Sequence, residues 1–154
     1  MKRFVGTLFA AILLGMSVGA GSAKADILSQ LGILDLNANG GINPATGVAW
    51  AGGDTYRFAF ITLATSQGTS SDITTYNSFI QTQANGSTAF PTLGDVTWNV
   101  IASTATVDAR DNTSANPTTD GYGEAIFLLN GSTTIATNYT DLWDGALSTV
   151  LRTT

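Results

Sequence analysis

Residues 55–64, Thr-Tyr-Arg-Phe-Ala-Phe-Ile-Thr-Leu-Ala, constrain the fold more than any other stretch of this chain. Read with the period of two of an extended backbone, Tyr56, Phe58, Phe60 and Thr62 line one face, and Arg57, Ala59, Ile61 and Leu63 line the other. Both faces are largely apolar, and exposing either to water costs free energy in proportion to its area. The stretch therefore reads as a central strand rather than one with a wet face. Gly52-Gly53-Asp54 supplies the turn that introduces it.

Residues 70–84 read as the principal helix. Ser70 or Ser71 offers an N-cap, and Asp72 suits the positive end of the helix dipole. Ile73, Tyr76, Phe79, Ile80 and Gln83 fall on one stripe, and Asn85-Gly86 ends it. Residues 97–103 alternate as a second strand, with Trp98, Val100 and Ala102 set against Asn99 and Ile101. Residues 124–129 and 133–138 flank Asn130-Gly131, a favoured hairpin pair. Residues 26–36 are apolar, and residues 37–47, rich in Asn and Gly with Pro44, read as a structured loop. Residues 108–122 are polar and read as a long exposed loop. The order strand, helix, strand, hairpin predicts an α+β fold with a mainly antiparallel sheet and one principal helix.

Residues 1–25 read as an export signal. Lys2 and Arg3 make a positive start, an apolar run follows from Phe4 to Val18, and Ala23-Lys24-Ala25 is a small-x-small cleavage site at Ala23 and Ala25. The run is shorter than the roughly 20 residues that cross a bilayer. The chain thus divides into a signal peptide (1–25), an N-terminal segment with its Asn/Gly/Pro loop (26–54) and a single α+β domain (55–154). Cleavage leaves three arginines against 11 acidic residues, a net charge of −8, and no stretch able to span a membrane. So acidic a chain neutralises few phosphates, which excludes nucleic acid as a partner, whereas polysaccharides, other surface proteins and divalent cations fit.

The chain has no Cys and no His, and Lys24 is its last lysine. A Ser-His-Asp triad, a cysteine nucleophile, a Schiff-base lysine and the usual zinc sites are therefore excluded. Asp35-Leu36-Asn37-Ala38-Asn39-Gly40 matches the first half of a calcium loop, with Asp35, Asn37 and Asn39 as the ligand positions. The twelfth position, where a bidentate Glu belongs, is Thr46, and the alternative is an Asx-turn loop. Asp108 and Asp111 bracket Arg110, as a cation site, a carboxylate pair or a salt-bridged loop base. Asp141 and Asp144 flank Trp143, which is either a sugar-stacking platform or a core anchor.

The runs 41–47, 56–62 and 72–79, with Ile101-Ala102-Ser103-Thr104-Ala105-Thr106-Val107-Asp108-Ala109-Arg110-Asp111-Asn112 and Asp141-Leu142-Trp143-Asp144-Gly145, resemble a group of exported bacterial proteins of unknown function, many of which carry a PEP-CTERM sorting tail. The layout is also similar to that of C-type-lectin or endostatin-like domains. The resemblance implies further strands and a sorting tail beyond Thr154, so the domain is expected to be either incomplete at its C-terminus or a tailless variant. It implies a non-enzymatic surface or extracellular-matrix protein. Two alternatives stand beside that: a secreted carbohydrate-active enzyme drawing two carboxylates from Asp108, Asp111, Glu124, Asp141 and Asp144, and a calcium-stabilised adhesive domain. If the leader is read correctly, N-terminal sequencing of the secreted product starts at Asp26; a product that starts at Met1 rules out cleavage.

Overall fold

The structure, a computed structural model, describes residues 9–12 and 34–149. Five strands form one sheet: β1 (Phe9–Ile12), β2 (Tyr56–Ile61), β3 (Trp98–Ile101), β4 (Ala125–Leu128) and β5 (Thr134–Ala136), in the spatial order β3-β1-β2-β4-β5. Three helices join them: α1 (Ile73–Asn85), α2 (Ala109–Asn112) and α3 (Tyr139–Leu142). The β1–β2, β1–β3 and β4–β5 pairs are antiparallel and β2–β4 is parallel. The class is α+β with mainly antiparallel pairing. No helix of the described residues is long and apolar enough to cross a membrane.

β2 is central, and its two faces enter two separate cores. Tyr56 and Phe58 pack with Trp98, Val100 and Phe127 beneath Tyr76, Ile80 and Ala84 of α1, and Leu34, Leu36 and Leu93 close that layer. Ala59 lies on the opposite face, with Ile126, Ile135, Ala136, Ala115 and Tyr139. The period-two reading of residues 55–64 translates into two packed layers as far as Ile61; the strand ends there, and Leu63, expected on the second face, is 87 % exposed.

Several local readings shift. Asp72, not Ser70 or Ser71, caps α1 by accepting from Thr74 N–H at 2.9 Å. Ser70 instead exchanges two bonds with the Tyr76 hydroxyl, donating its N–H at 2.7 Å and accepting at its carbonyl at 3.0 Å. Ala84 takes the core position expected of Gln83, because a side chain without polar atoms enters the layer at no desolvation cost. The hairpin forms, but its loop is longer than two residues: the Asn130 side chain accepts from Ser132 and Thr133 N–H at 3.2 and 3.0 Å. The expected exposed loop 108–122 carries α2 and buries Ala109, Thr113 and Ala115. Its middle is organised by Asn116, which donates to Asp111 at 2.6 Å and receives Thr118 N–H at 3.0 Å.

The leader reading leaves residues 1–25 outside the fold, whereas the structure lays Phe9–Ile12 between β2 and β3. The physical reason is pairing: two strand edges face each other one strand apart, and an extended segment between them satisfies both. Ala23 and Ala25 of the cleavage site, residues 26–33 of the apolar stretch and residues 150–154 lie outside the described residues.

The outer edges of the sheet are covered. Trp98 N–H donates to Gln81 Oε1 at 3.0 Å and Val100 N–H to Asn77 Oδ1 at 2.9 Å, and Asn112 Nδ2 donates to Val100 O at 2.8 Å. Asn77 and Asn112 also bond each other, amide to amide, at 2.9 and 3.0 Å. At the other end Ser148 N–H and Thr149 Oγ1 donate to Ile135 O and Thr134 O at 2.9 and 3.0 Å. An uncovered edge is a template for unwanted pairing. Asn77→Ala and Asn112→Ala should each cost about 1–3 kcal/mol in urea unfolding, the penalty of orphaning a part-buried edge group. The double variant should cost less than the sum, since the two share one network; additivity within about 0.5 kcal/mol would dissolve the network.

Candidate functional site

Asp35, Asp108, Asp111, Asp141 and Asp144 are each held by a local bond. Asp35 Oδ1 accepts from Asn37 N–H at 2.9 Å, an Asx turn. Asn39, at φ 55°, turns its amide to the β4–β5 hairpin, donating to Ser132 O at 3.4 Å and Thr134 Oγ1 at 3.5 Å. The Asp35 carboxylate is thus turned to the Asn37 backbone, and the Asn39 amide is turned to the hairpin. Among the described residues no group of three or more Asp or Glu side chains converges as a metal site would.

Asp108 caps α2, accepting from Arg110 N–H at 2.9 Å and from its Nε at 3.3 Å. The bond from the Arg110 backbone holds the exposed Asp108 carboxyl below its ordinary pKa. Asp111 faces Asn116 instead. Asp141 accepts from Thr137 N–H and Oγ1 at 2.7 and 2.9 Å, while Asn138 caps α3 by accepting from Asp141 N–H at 3.0 Å. This reciprocal arrangement resembles a capping box and orients the start of α3. The half-buried Trp143 donates its indole N–H to Ala115 O at 2.8 Å, tying α3 to the loop after α2. Asp144 accepts from Ala146 N–H at 2.8 Å in the following turn.

The densest polar cluster was not assembled by sequence reasoning. Arg57, on the second face of β2 and 5 % exposed, donates Nε to Glu124 Oε2 at 2.9 Å and Nη1 to Thr113 O at 2.7 Å. Its guanidinium carbon sits 4.7 Å from the centre of the Tyr139 ring, and the Tyr139 hydroxyl donates to the same Glu124 oxygen. Arginine is suited to the position because its flat, forked head bonds two acceptors while stacking on an aromatic face. Burial pushes the Glu124 pKa up, but the Tyr139 hydrogen bond and the Arg57 charge and hydrogen bond outweigh it and leave the carboxyl below its ordinary value. Burial, followed by the bond to Glu124, pushes the Tyr139 hydroxyl well above its ordinary range. Gly123 lies against the ring at φ +75°, where a Cβ would run into Tyr139, so glycine is required on both counts. One signal for the cluster was present: a lone charge inside a strand apolar on both faces requires a buried partner.

A separate depression of about 420 Å³ opens between the start of α1 and the end of β3, lined by Gly68, Thr69, Ser70, Tyr76, Ser103 and Thr104 among others. It is neutral and rich in hydroxyls. Ser103 Oγ accepts from Ala109 N–H at 2.9 Å, and the Tyr76 hydroxyl is engaged with Ser70, so both groups are fixed in place.

Comparison of the chain with protein-family models, with curated proteins and with solved structures finds no match.

The Glu124 cluster has a definite pH signature. A carboxyl with a folded pKa below its unfolded value of 4.5 contributes stability above that value and loses it as pH falls through the lower folded pKa. Between pH 6 and 2 the melting temperature of the wild type should therefore fall more steeply than that of Glu124→Gln, which should be the less stable of the two at pH 6. Arg57→Ala, which strands the carboxylate, should cost about 3–5 kcal/mol at neutral pH. Parallel melting curves across the range would contradict the assignment.

Proposed function

We propose that this chain is a non-enzymatic exported protein of the cell surface or extracellular matrix, and that it binds neutral glycans or other matrix components. The observation that carries the reading is the use of the acidic side chains. Asp35, Asp108, Asp141 and Asp144 each accept from a neighbouring backbone N–H, and Glu124 is locked to Arg57 and Tyr139. A glycosidase pair needs one carboxyl with a raised pKa to act as general acid. Glu124, the most buried of these carboxyls, is shifted the other way, and Asp108 is lowered too. These bonds favour a scaffold over a paired-carboxylate enzyme.

Export is supported by the positive start, apolar run and small-x-small site of residues 1–25 and by the resemblance to exported bacterial proteins. A neutral ligand is supported by the net charge of −8 beyond residue 25, which repels anionic polymers. Trp143, half-buried with its indole N–H anchored, has the chemistry of a stacking platform whose orientation is already set.

Affinity electrophoresis in gels containing neutral polysaccharides tests the reading. The wild-type protein should be retarded, Trp143→Ala should lose the retardation while keeping its far-UV dichroism, and Trp143→Phe should retain part of it. Migration of the wild type unchanged by every neutral polymer tried would reject glycan binding.

A further inference from the structure

The chain contains three Asn-Gly pairs, at 39–40, 85–86 and 130–131. An asparagine followed by glycine is open to attack by its own backbone. The glycine N–H gives its proton to hydroxide, and the nitrogen bonds to the side-chain amide carbon. The bond from that carbon to the side-chain nitrogen breaks, and ammonia leaves. Water then opens the five-membered imide at either carbonyl, which gives aspartate or isoaspartate. Glycine favours the attack because no Cβ crowds the incoming nitrogen. Ring closure requires the backbone to rotate until the glycine nitrogen lies against the amide carbon. A folded pair must therefore leave its turn first, and the ease of that local opening sets the rate.

The three pairs are held to different degrees. Asn130 accepts from Ser132 and Thr133 N–H at 3.2 and 3.0 Å and donates to Thr133 Oγ1 at 2.7 Å. Gly131 is buried, and its N–H, the group that must lose a proton, donates to Leu128 O at 3.0 Å. Asn85 ends α1, where its Oδ1 accepts from Gln81 Nε2 at 2.9 Å and Gly86 N–H donates to Thr82 O at 3.1 Å. Gly94 also packs against Asn85, so closely that a Cβ on Gly94 would lie 3.1 Å from Asn85 Oδ1.

Asn39 and Gly40 are both exposed. The Asn39 amide makes two contacts, to Ser132 O at 3.4 Å and Thr134 Oγ1 at 3.5 Å, both longer than an ordinary N–H···O bond. Its carbonyl oxygen on the main chain accepts from Ile42 N–H, also at 3.4 Å. Asn39 sits at φ 55° and ψ 31°, a left-handed conformation that costs free energy for a residue with a Cβ. Gly40 and Gly41 continue the run at φ 72° and 77°. A Cβ built on Gly40 meets nothing within 4 Å, so the space beside its nitrogen is open.

We propose that Asn39-Gly40 is a self-modification site, at which the folded chain converts Asn39 to aspartate or isoaspartate ahead of the other two pairs. The product has no N–H to give to Ser132 O and sets a negative carboxylate against that carbonyl oxygen. Isoaspartate also lengthens the backbone by one atom within the left-handed run of residues 39–41. Both products weaken the seat of this loop on the β4–β5 hairpin, where Asp35 N–H still bonds Gly131 O at 3.0 Å.

Ageing the purified full chain in mildly alkaline buffer tests the site. Brief digestion with a protease that cuts after aromatic residues and leucine puts the pairs in separate peptides, residues 37–50, 80–93 and 130–139. Mass spectrometry then follows the exchange of an amide for an acid in each. The 37–50 peptide should convert about tenfold faster than either of the others, the factor given by one or two fewer ordinary hydrogen bonds to break. In urea, which removes the turns, the three should convert at similar rates. Equal rates in the folded chain, or a lead by either other pair, overturns the site. The same lead for residues 37–50 in urea makes the order a property of the local sequence and overturns it too. So does fragmentation that places the change at Asn37 or Asn43. The converted protein and Asn39→Asp should both melt below the fresh wild type; unchanged melting overturns the weakened seat on the hairpin.

Discussion

Asn77, Gln81 and Asn112 stand where a further strand would lie beside β3, and their amides take up the backbone groups that such a strand would have paired. A four-residue strand contributes little on its own, and each of its unpaired groups, once buried, carries a desolvation cost comparable to a lost hydrogen bond. By bonding β3 from the helix side, α1 and α2 make the strand part of the sheet and of the helical layer at once. The placement of α1 over Trp98 and Val100 depends on this, and so does the directional demand that β3 makes on its inner neighbour. The sheet is closed at both outer edges, and β1 pairs with both neighbours at the interior position between β2 and β3.

Arg57 serves the second face of β2 as the Asn pair serves β3. An apolar residue there would have completed the small core around Ala59 and Ile126. The arginine instead reaches Thr113 at the end of α2, Glu124 just before β4 and Tyr139 at the start of α3. Such a group is weak as a source of net stability, because two charges leave water to form it. Its consequence is geometric, since three chain segments far apart in sequence are held to one planar head. The same bonds hold the Glu124 carboxyl below its ordinary pKa, and burial with the bond to Glu124 pushes the Tyr139 hydroxyl above its own.

Patterns that repeat within a few residues were legible beforehand. The alternation of residues 56–61, the stripe from Ile73 to Ile80 and the Trp98–Val100 alternation became the expected elements, and Asn130-Gly131 lies in the hairpin loop, which is longer than two residues. Where the reading slipped, the competing effect was tertiary or capping chemistry. Asp72 displaced two serines as N-cap because its carboxylate reaches Thr74 N–H directly, and Ala84 displaced Gln83 because the layer above β3 is apolar. The loop 108–122 looked exposed by composition, yet its polar residues bond one another and leave Ala109 and Ala115 to be buried. Of the nominated site residues, Asp35 makes the Asx turn that its loop offered as the alternative to calcium, whereas the partners of Arg57 lie 56 to 82 positions away and no local pattern points to them.

Sequence alone determined the α+β class, the central place of β2, the hairpin, and the exclusion of histidine and cysteine chemistry with the zinc sites built from those residues. These follow from side-chain periodicity, turn preferences and which reactive groups are absent, all of which are properties of neighbouring residues or of the inventory. Only the tertiary structure decided which acids are bonded to what, which charge is buried, and that Phe9–Ile12 occupies a place between β2 and β3. Those depend on bringing together segments separated by tens of residues. The free energy that selects them comes from pairing backbone edges and enclosing polar groups, and no stretch of the chain can do either by itself.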